Sequence, residues 1–115
     1  MADPAAEPGP SAPLEGWNVV TARDDDWFPW GGDRARGRIL GSSEGLTIFR
    51  VEADAGYVTA AHDHGGPEGF VLLSGRVRNQ GRELDAGDGW VASRGTRHDD
   101  FEALTDVVYL SIVTG

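Results

Sequence analysis

The residues of this chain that could do chemistry are few and close together. Its three histidines fall in two stretches, "HDH" at 62–64 and "TRHDD" at 96–100, and Glu68 follows the first of these after "GGP". In an extended strand alternate side chains share a face, so His62 and His64 point one way and Asp63 the other. The "GGP" turn is expected to return the chain as a neighbouring antiparallel strand with Glu68, Phe70 and Leu72 on one face. That strand would set a carboxylate beside the imidazoles with apolar residues behind it. His98 lies thirty residues beyond Glu68, at the start of a further strand. Two imidazoles hold an ion weakly, but His62, His64, Glu68 and His98 together make a strong divalent site. Such a set suits Fe(II), Mn(II), Ni(II) or Zn(II), whereas calcium and magnesium prefer all-oxygen shells. A solitary surface histidine needs no metal to explain it. Here every histidine falls into the same candidate site, with a correctly phased glutamate.

Other catalytic schemes find no support. The chain has no cysteine, which excludes disulfides, thiolate zinc sites and a cysteine nucleophile. Its ten basic residues are all arginine, so a lysine Schiff base is excluded too. No nucleophile elbow or phosphate-cradling loop is present. With all three histidines assigned to metal, any proton transfer falls to a metal-bound water or to Glu68.

The elements that must position these residues read as strands. From residue 36 onward, short segments rich in β-branched and aromatic residues alternate with Gly-, Asp- and Asn-rich breaks, and none keeps a helical period for three turns. Roughly eight such strands imply a β-sandwich or barrel within a chain of 115 residues, which is room for one domain. Residues 1–13, with four of the six prolines, read as a disordered tail, and 14–115 as the domain. The dense aromatics Trp17, Trp27, Phe28 and Trp30 are expected to plug a core, with an aromatic substrate wall as the less common use. A net charge of −9 and a pI near 4.5 argue against nucleic-acid and anionic-membrane partners. No apolar run approaches membrane-span length and the N-terminal text is not a secretory signal, so a soluble cytoplasmic protein is expected. The absence of lysine, with abundant Ala, Gly and Asp, points to a GC-rich bacterial gene.

The two histidine stretches resemble the paired motifs of the cupins. Gly56, five residues, His62, one, His64, three, Glu68, six, Gly75 matches the first motif without a gap. Gly87, five residues, Ser93, one, Gly95, two, His98 matches the second, except that Ser93 stands for the usual proline and Glu102 for a frequent asparagine. The first departure should loosen a turn, and neither touches a ligand position. The resemblance covers roughly residues 36–113. It implies an all-β single-domain cupin: a jelly-roll-like barrel (a double-stranded β-helix) of two packed antiparallel sheets, with one metal held in the lumen by His62, His64, Glu68 and His98. The chain looks closest to small bacterial cupins related to the zinc-binding domain of anti-sigma factors, a group similar also to small dioxygenases of diketones and hydroxyketones.

The expected function is therefore that of a metal-dependent cupin enzyme, first an Fe(II) dioxygenase acting on a small diketone, hydroxyketone or phenolic substrate. The alternatives are a non-redox isomerase, lyase or cyclase, and a zinc-binding sensor or ligand-binding module. Phe70 and Leu72 are expected in the substrate pocket by strand parity with Glu68. Arg50 is a candidate anion clamp there. Tyr109 is either a lumen hydrogen-bond donor of catalytic use or an outer-face residue, because Val108, Leu110 and Ile112 form the more apolar face of its strand. Trp90 is expected to pack. A homodimer through an outer sheet face is the one protein partner this reading offers.

Overall fold

The computed structural model describes residues 15–21, 26–59 and 61–114. The expected tail at 1–13 lies outside the described residues. Eleven strands run in chain order: β1 (Phe28–Pro29), β2 (Ala35–Ser43), β3 (Leu46–Ala53), β4 (His62–Asp63), β5 (Glu68–Ser74), β6 (Arg76–Asn79), β7 (Arg82–Asp85), β8 (Gly89–Ala92), β9 (Arg97–His98), β10 (Phe101–Ala103) and β11 (Val107–Thr114). The described residues contain no helix, and so none long and apolar enough to cross a membrane. Three expected strands are each cut in two or shortened. The text from 68 to 79 breaks at Gly75, that from 96 to 104 breaks at Asp99 and Asp100, and that from 56 to 64 pairs as an isolated bridge at Val58 before β4.

One layer is a six-stranded sheet in the order β1-β2-β3-β11-β5-β8, all of it antiparallel. The opposing layer is not one sheet but two pieces, β10-β6-β7 and the ribbon β4-β9. Its pieces are linked by the chain itself. Residues 56–59 run beside β10 through Gly56 N–H to Ala103 O at 2.8 Å and Ala103 N–H to Tyr57 O at 2.8 Å, and the same segment continues into β4 beside β9. The core lies between the layers. Val51, Leu72 and Tyr109 come from the large sheet and Val77, Phe101 and Ala103 from the other, and Val51, Leu72 and Val77 have no exposure at all. Burying a side chain of this size is worth about 1.5–3 kcal/mol each.

Two glycines show how tightly the layers meet. Gly75 turns β5 into β6 at φ +87°, and a Cβ there would lie 2.3 Å from Asp106 O, so both conformation and space demand glycine. A Cβ on Gly37 would lie 2.6 Å from the Trp30 ring, so this glycine makes the seat in which Trp30 packs. The expected aromatic plug is thus real in part. Trp30 and Phe28 pack on Phe49 with ring centroids 5.0 and 6.2 Å apart, and Trp27 lies under the Arg36 guanidinium at 4.1 Å. Trp17 does not join them; it is 74% exposed.

Candidate metal centre

β4 and β9 exist to hold histidines. Their register puts His62 directly across from His98 and Asp63 across from Arg97. One residue further, His64 N–H donates to Thr96 O at 2.9 Å and Gly95 N–H to His64 O at 2.8 Å. The three imidazoles converge on one point. Ring centroids are 5.1 Å apart for His62 and His64, 5.2 Å for His62 and His98, and 5.6 Å for His64 and His98. Their ligating nitrogens all lie within 4.8 Å of one another. Donors of one ion bound at about 2.1 Å stand at most about 4.2 Å apart, so closure on a cation asks for small shifts only.

Glu68 reaches this point from the other layer. The "GGP" turn does not make a hairpin; it carries the chain across the barrel into β5, which pairs with β11 and β8. The expectation that the glutamate strand would pair beside the histidine strand is corrected by this topology, because in a two-layer barrel the connection between motifs crosses between layers. The carboxylate still arrives, with Oε2 2.9 Å from His64 Nε2. The donor set fits a divalent transition-metal ion: three imidazoles with an adjacent carboxylate, of which His64 is buried and the others half-buried.

Each candidate ring has a setting of its own. His64 Nδ1 is 2.8 Å from Thr96 Oγ1, whose hydroxyl in turn donates to Ser93 O at 2.7 Å. The turn at Ser93, where the usual proline is missing, is closed by a second bond to the same carbonyl, from Thr96 N–H at 3.2 Å. His98 Nε2 meets Asn79 Oδ1 of β6. Burial lowers the His98 pKa from its ordinary value, and His62 and His64 nearby push it the same way against a smaller opposing pull from Asp99 and Asp100. The neutral imidazole, the form that ligates, is thereby favoured. Glu102, at the other departure from the motif, points away from the site and pairs with Arg78 at 2.6 Å.

The triad opens on a cavity of about 180 Å³. His62, His98 and Glu68 stand in its wall, and the rest of the lining is mainly aromatic. Phe70 lines it, and Trp90 lies flat on Phe70 with centroids 3.8 Å apart and planes at 4°. Trp90, expected only to pack, is thus also a wall residue, and so is Trp30. Tyr109 faces the cavity, which settles the phase of its strand. Burial raises the Tyr109 pKa well above the usual tyrosine range, with neighbouring Tyr57 adding to it, and the Trp30 indole opposes the shift only in part. Leu72 shares the inward face but lies in the sealed core, in register with Tyr109, and not on the cavity wall. Arg50 is elsewhere. It sits on the outer face of β3, its Nε 3.6 Å from Glu52 Oε2, so the expectation of an anion clamp in the pocket is corrected. Sequence reasoning missed Thr96 and Asn79, whose only signal is nearness to His98 in the one case and a place before a turn in the other.

Solved structures share this architecture. An acetylacetone dioxygenase from Acinetobacter johnsonii superposes with a TM-score of 0.76 at 19% identity, over 86% of this chain and 74% of that one. The anti-sigma factor ChrR of Rhodobacter sphaeroides, in its complex with SigE, gives 0.70 at 24% identity over 81% of this chain and 51% of the other, so this chain spans about half of that length. An RmlC-like cupin from Shewanella frigidimarina gives 0.73 at 18% identity, over 84% and 88%. At such identities the likeness is one of fold. No curated protein sequence matches. The ChrR cupin-like domain family, however, matches residues 16–115, and with the barrel and its histidine triad in place the chain belongs to that family of cupins.

Proposed function

We propose that this protein is a metal-dependent enzyme of the non-haem Fe(II) dioxygenase type, acting on a small diketone, hydroxyketone or phenolic compound. The observation that carries this reading is the cavity: about 180 Å³, walled by stacked aromatics, with the histidine triad at one side and no arginine among the described residues of its lining. A cavity of about 150 Å³ takes one benzene molecule, so the lumen suits a compact substrate. A divalent ion in the triad supplies Lewis acidity and, as iron, a redox partner for dioxygen. The chain's own residues do the remaining work. The Phe70–Trp90 stack excludes water and holds the substrate against the triad. Glu68, beside His64, is placed to take a proton from a carbon flanked by carbonyls, or from a phenol. Tyr109 stays protonated and serves as a neutral hydrogen-bonding group, not as a base.

The test is elemental analysis of the untagged protein, followed by oxygen uptake with a panel of diketones, hydroxyketones and phenols. About one equivalent of iron, with uptake that is lost along with the metal in His62→Ala, is the expected result. Turnover of the panel without oxygen, in a zinc-loaded protein, would sink the dioxygenase.

A second reading has its own support. Membership of the ChrR cupin-like family, and a structural likeness to ChrR bound to SigE, favour a zinc-binding sensing module. One equivalent of zinc and no turnover of any panel compound is the outcome that selects it.

A further inference from the structure

We propose that Ser111 determines specificity in the cavity: its hydroxyl binds a second oxygen of the substrate, so that the preferred compound carries one oxygen towards the triad and another on the side that faces β11. The inference rests on the reading of the cavity as a substrate site and names the class of compound within it, a compact molecule with two separated oxygens.

A single row of residues runs across the inner face of the large sheet. Phe49 of β3 pairs with Ser111 of β11, Ser111 with Phe70 of β5, and Phe70 with Trp90 of β8. The other members of the row are aromatic, and Phe70 and Trp90 pack face to face. Ser111 is the polar exception. A place between two phenylalanines on a central strand suits a β-branched residue, which would bury more apolar surface than serine does. Ser111 is half-buried and lines the cavity instead.

Two other hydroxyls stand in the lining, those of Thr59 and Tyr109. Both are engaged within the protein: Thr59 hydrogen-bonds with Tyr57, and Tyr109 with Tyr57 and Trp30. The Ser111 hydroxyl has no hydrogen-bond partner among the described residues, and it opens on the cavity. A hydroxyl held in an apolar wall is costly unless something bonds it, and it can both give and accept. Its available partner is whatever fills the cavity.

Position selects which oxygen it meets. Val113 pairs with Glu68, whose carboxylate stands beside His64, and Ser111 lies two residues from Val113 along β11, towards the buried Tyr109. At about 3.4 Å per residue that is a step of about 7 Å. The oxygen that reaches the triad is therefore not the one that reaches Ser111, and a cavity of about 180 Å³ has room for a benzene-sized ring between them. A phenol with a second hydroxyl across the ring fits this description. A diketone that turns both oxygens to the triad leaves Ser111 unmet.

The experiment titrates the full chain, loaded with zinc and kept under nitrogen, with hydroquinone and with 4-methylphenol, which carries a methyl group in place of one hydroxyl. Calorimetry gives both dissociation constants. Ser111→Ala removes the hydroxyl and keeps the room. It should weaken hydroquinone by about tenfold, because a buried hydroxyl of the probe is left unpaired, and leave 4-methylphenol unchanged within about twofold. Thr59→Val, which removes a hydroxyl that Tyr57 already engages, should keep the ratio of the two constants near its wild-type value. A serine that only makes space predicts the same ratio in wild type and in Ser111→Ala, and that result would overturn the proposal. A ratio that moved with Thr59→Val and not with Ser111→Ala would overturn it as well. Wild-type protein that bound neither probe would remove the reading of the cavity as a substrate site, and the proposal with it; binding of both, with a ratio that Ser111→Ala leaves alone, sinks the proposal only.

Discussion

Two rows of residues cross the same three strands one position apart, and they have nothing in common. In the first, Val51 of β3 pairs with Tyr109 of β11, which pairs with Leu72 of β5; all three are buried, and Tyr109 looks into the cavity. In the second, Arg50 pairs with Leu110, which pairs with Val71, and the row faces outward. A step of one residue along each strand exchanges sealed core for solvent, because the side-chain period of a strand is two. Function depends on the first row being right. It sets the floor under the aromatic wall, and through Glu68, two pairs along β5, it brings the carboxylate to the triad.

The largest effect should come from cutting into the inner row. Leu72 has no exposed surface, and Leu72→Ala should cost about 2–5 kcal/mol through lost burial and the cavity left behind. In a chain of this size that is a fall in melting temperature on the order of 10 °C or more. Metal stoichiometry should hold at temperatures where the variant is folded, because Leu72 belongs to the large sheet and the histidines to a separate ribbon. Calorimetry and elemental analysis on one sample check both halves. A folded Leu72→Ala protein that had lost its metal would mean that sheet and ribbon are one unit.

How much of this could be read from the sequence follows from the same contrast. The triad was legible because composition did the selecting: with three histidines in the chain, two of them at strand spacing, little else remained to consider. The partner strand was not. His62 pairs with His98 across thirty-six positions, while the nearby "GGP" looks like a hairpin, and a single sequence carries local turn chemistry far better than non-local pairing. The phase of β11 was hidden for another reason. Its outward set, Val108, Leu110 and Ile112, is more apolar than the cavity-facing Tyr109, Ser111 and Val113, so hydrophobicity points to the wrong face. The error on Arg50 has another source: its own strand alternates Phe49, Val51 and Ala53 on one face with Arg50 and Glu52 on the other, and residue type suggests a clamp against that pattern. Thr96 and Asn79 carry only their places, near His98 and before a turn; the folded geometry is what brings them to the rings.

A titration sharpens the comparison next. The chain has two tyrosines, Tyr57 and Tyr109, both 4% exposed, and burial raises the pKa of each. The sign follows from linkage. The folded pKa lies above the unfolded value of about 10, so the stability tied to the neutral hydroxyls is complete below pH 10 and is lost as pH rises beyond it, where only the unfolded chain sheds these protons. Phenolate absorbance should therefore stay absent through pH 10 and then appear together with loss of the β-sheet circular dichroism signal. A gradual rise centred near pH 10 in protein that keeps its sheet signal would put a hydroxyl in water and return the question of the β11 phase.

The smallest effect belongs to the outer row, and it is the one that tests the phasing from the other side. Arg50 is more than a third exposed, and its contact with Glu52 at 3.6 Å is of the kind worth about 0–1 kcal/mol. Arg50→Ala should leave thermal stability nearly unchanged, within about 0.5 kcal/mol. The sharper readout is metal affinity. A guanidinium in the lumen would repel a divalent cation, so removing it would tighten binding, by about tenfold for each 1.4 kcal/mol of repulsion relieved. From the outer face, across the sheet and screened by water, the same charge does nothing measurable to the ion. Chelator competition on wild-type and Arg50→Ala protein should give constants equal within about twofold. A tenfold gain in affinity would place Arg50 inside, and with it the whole row.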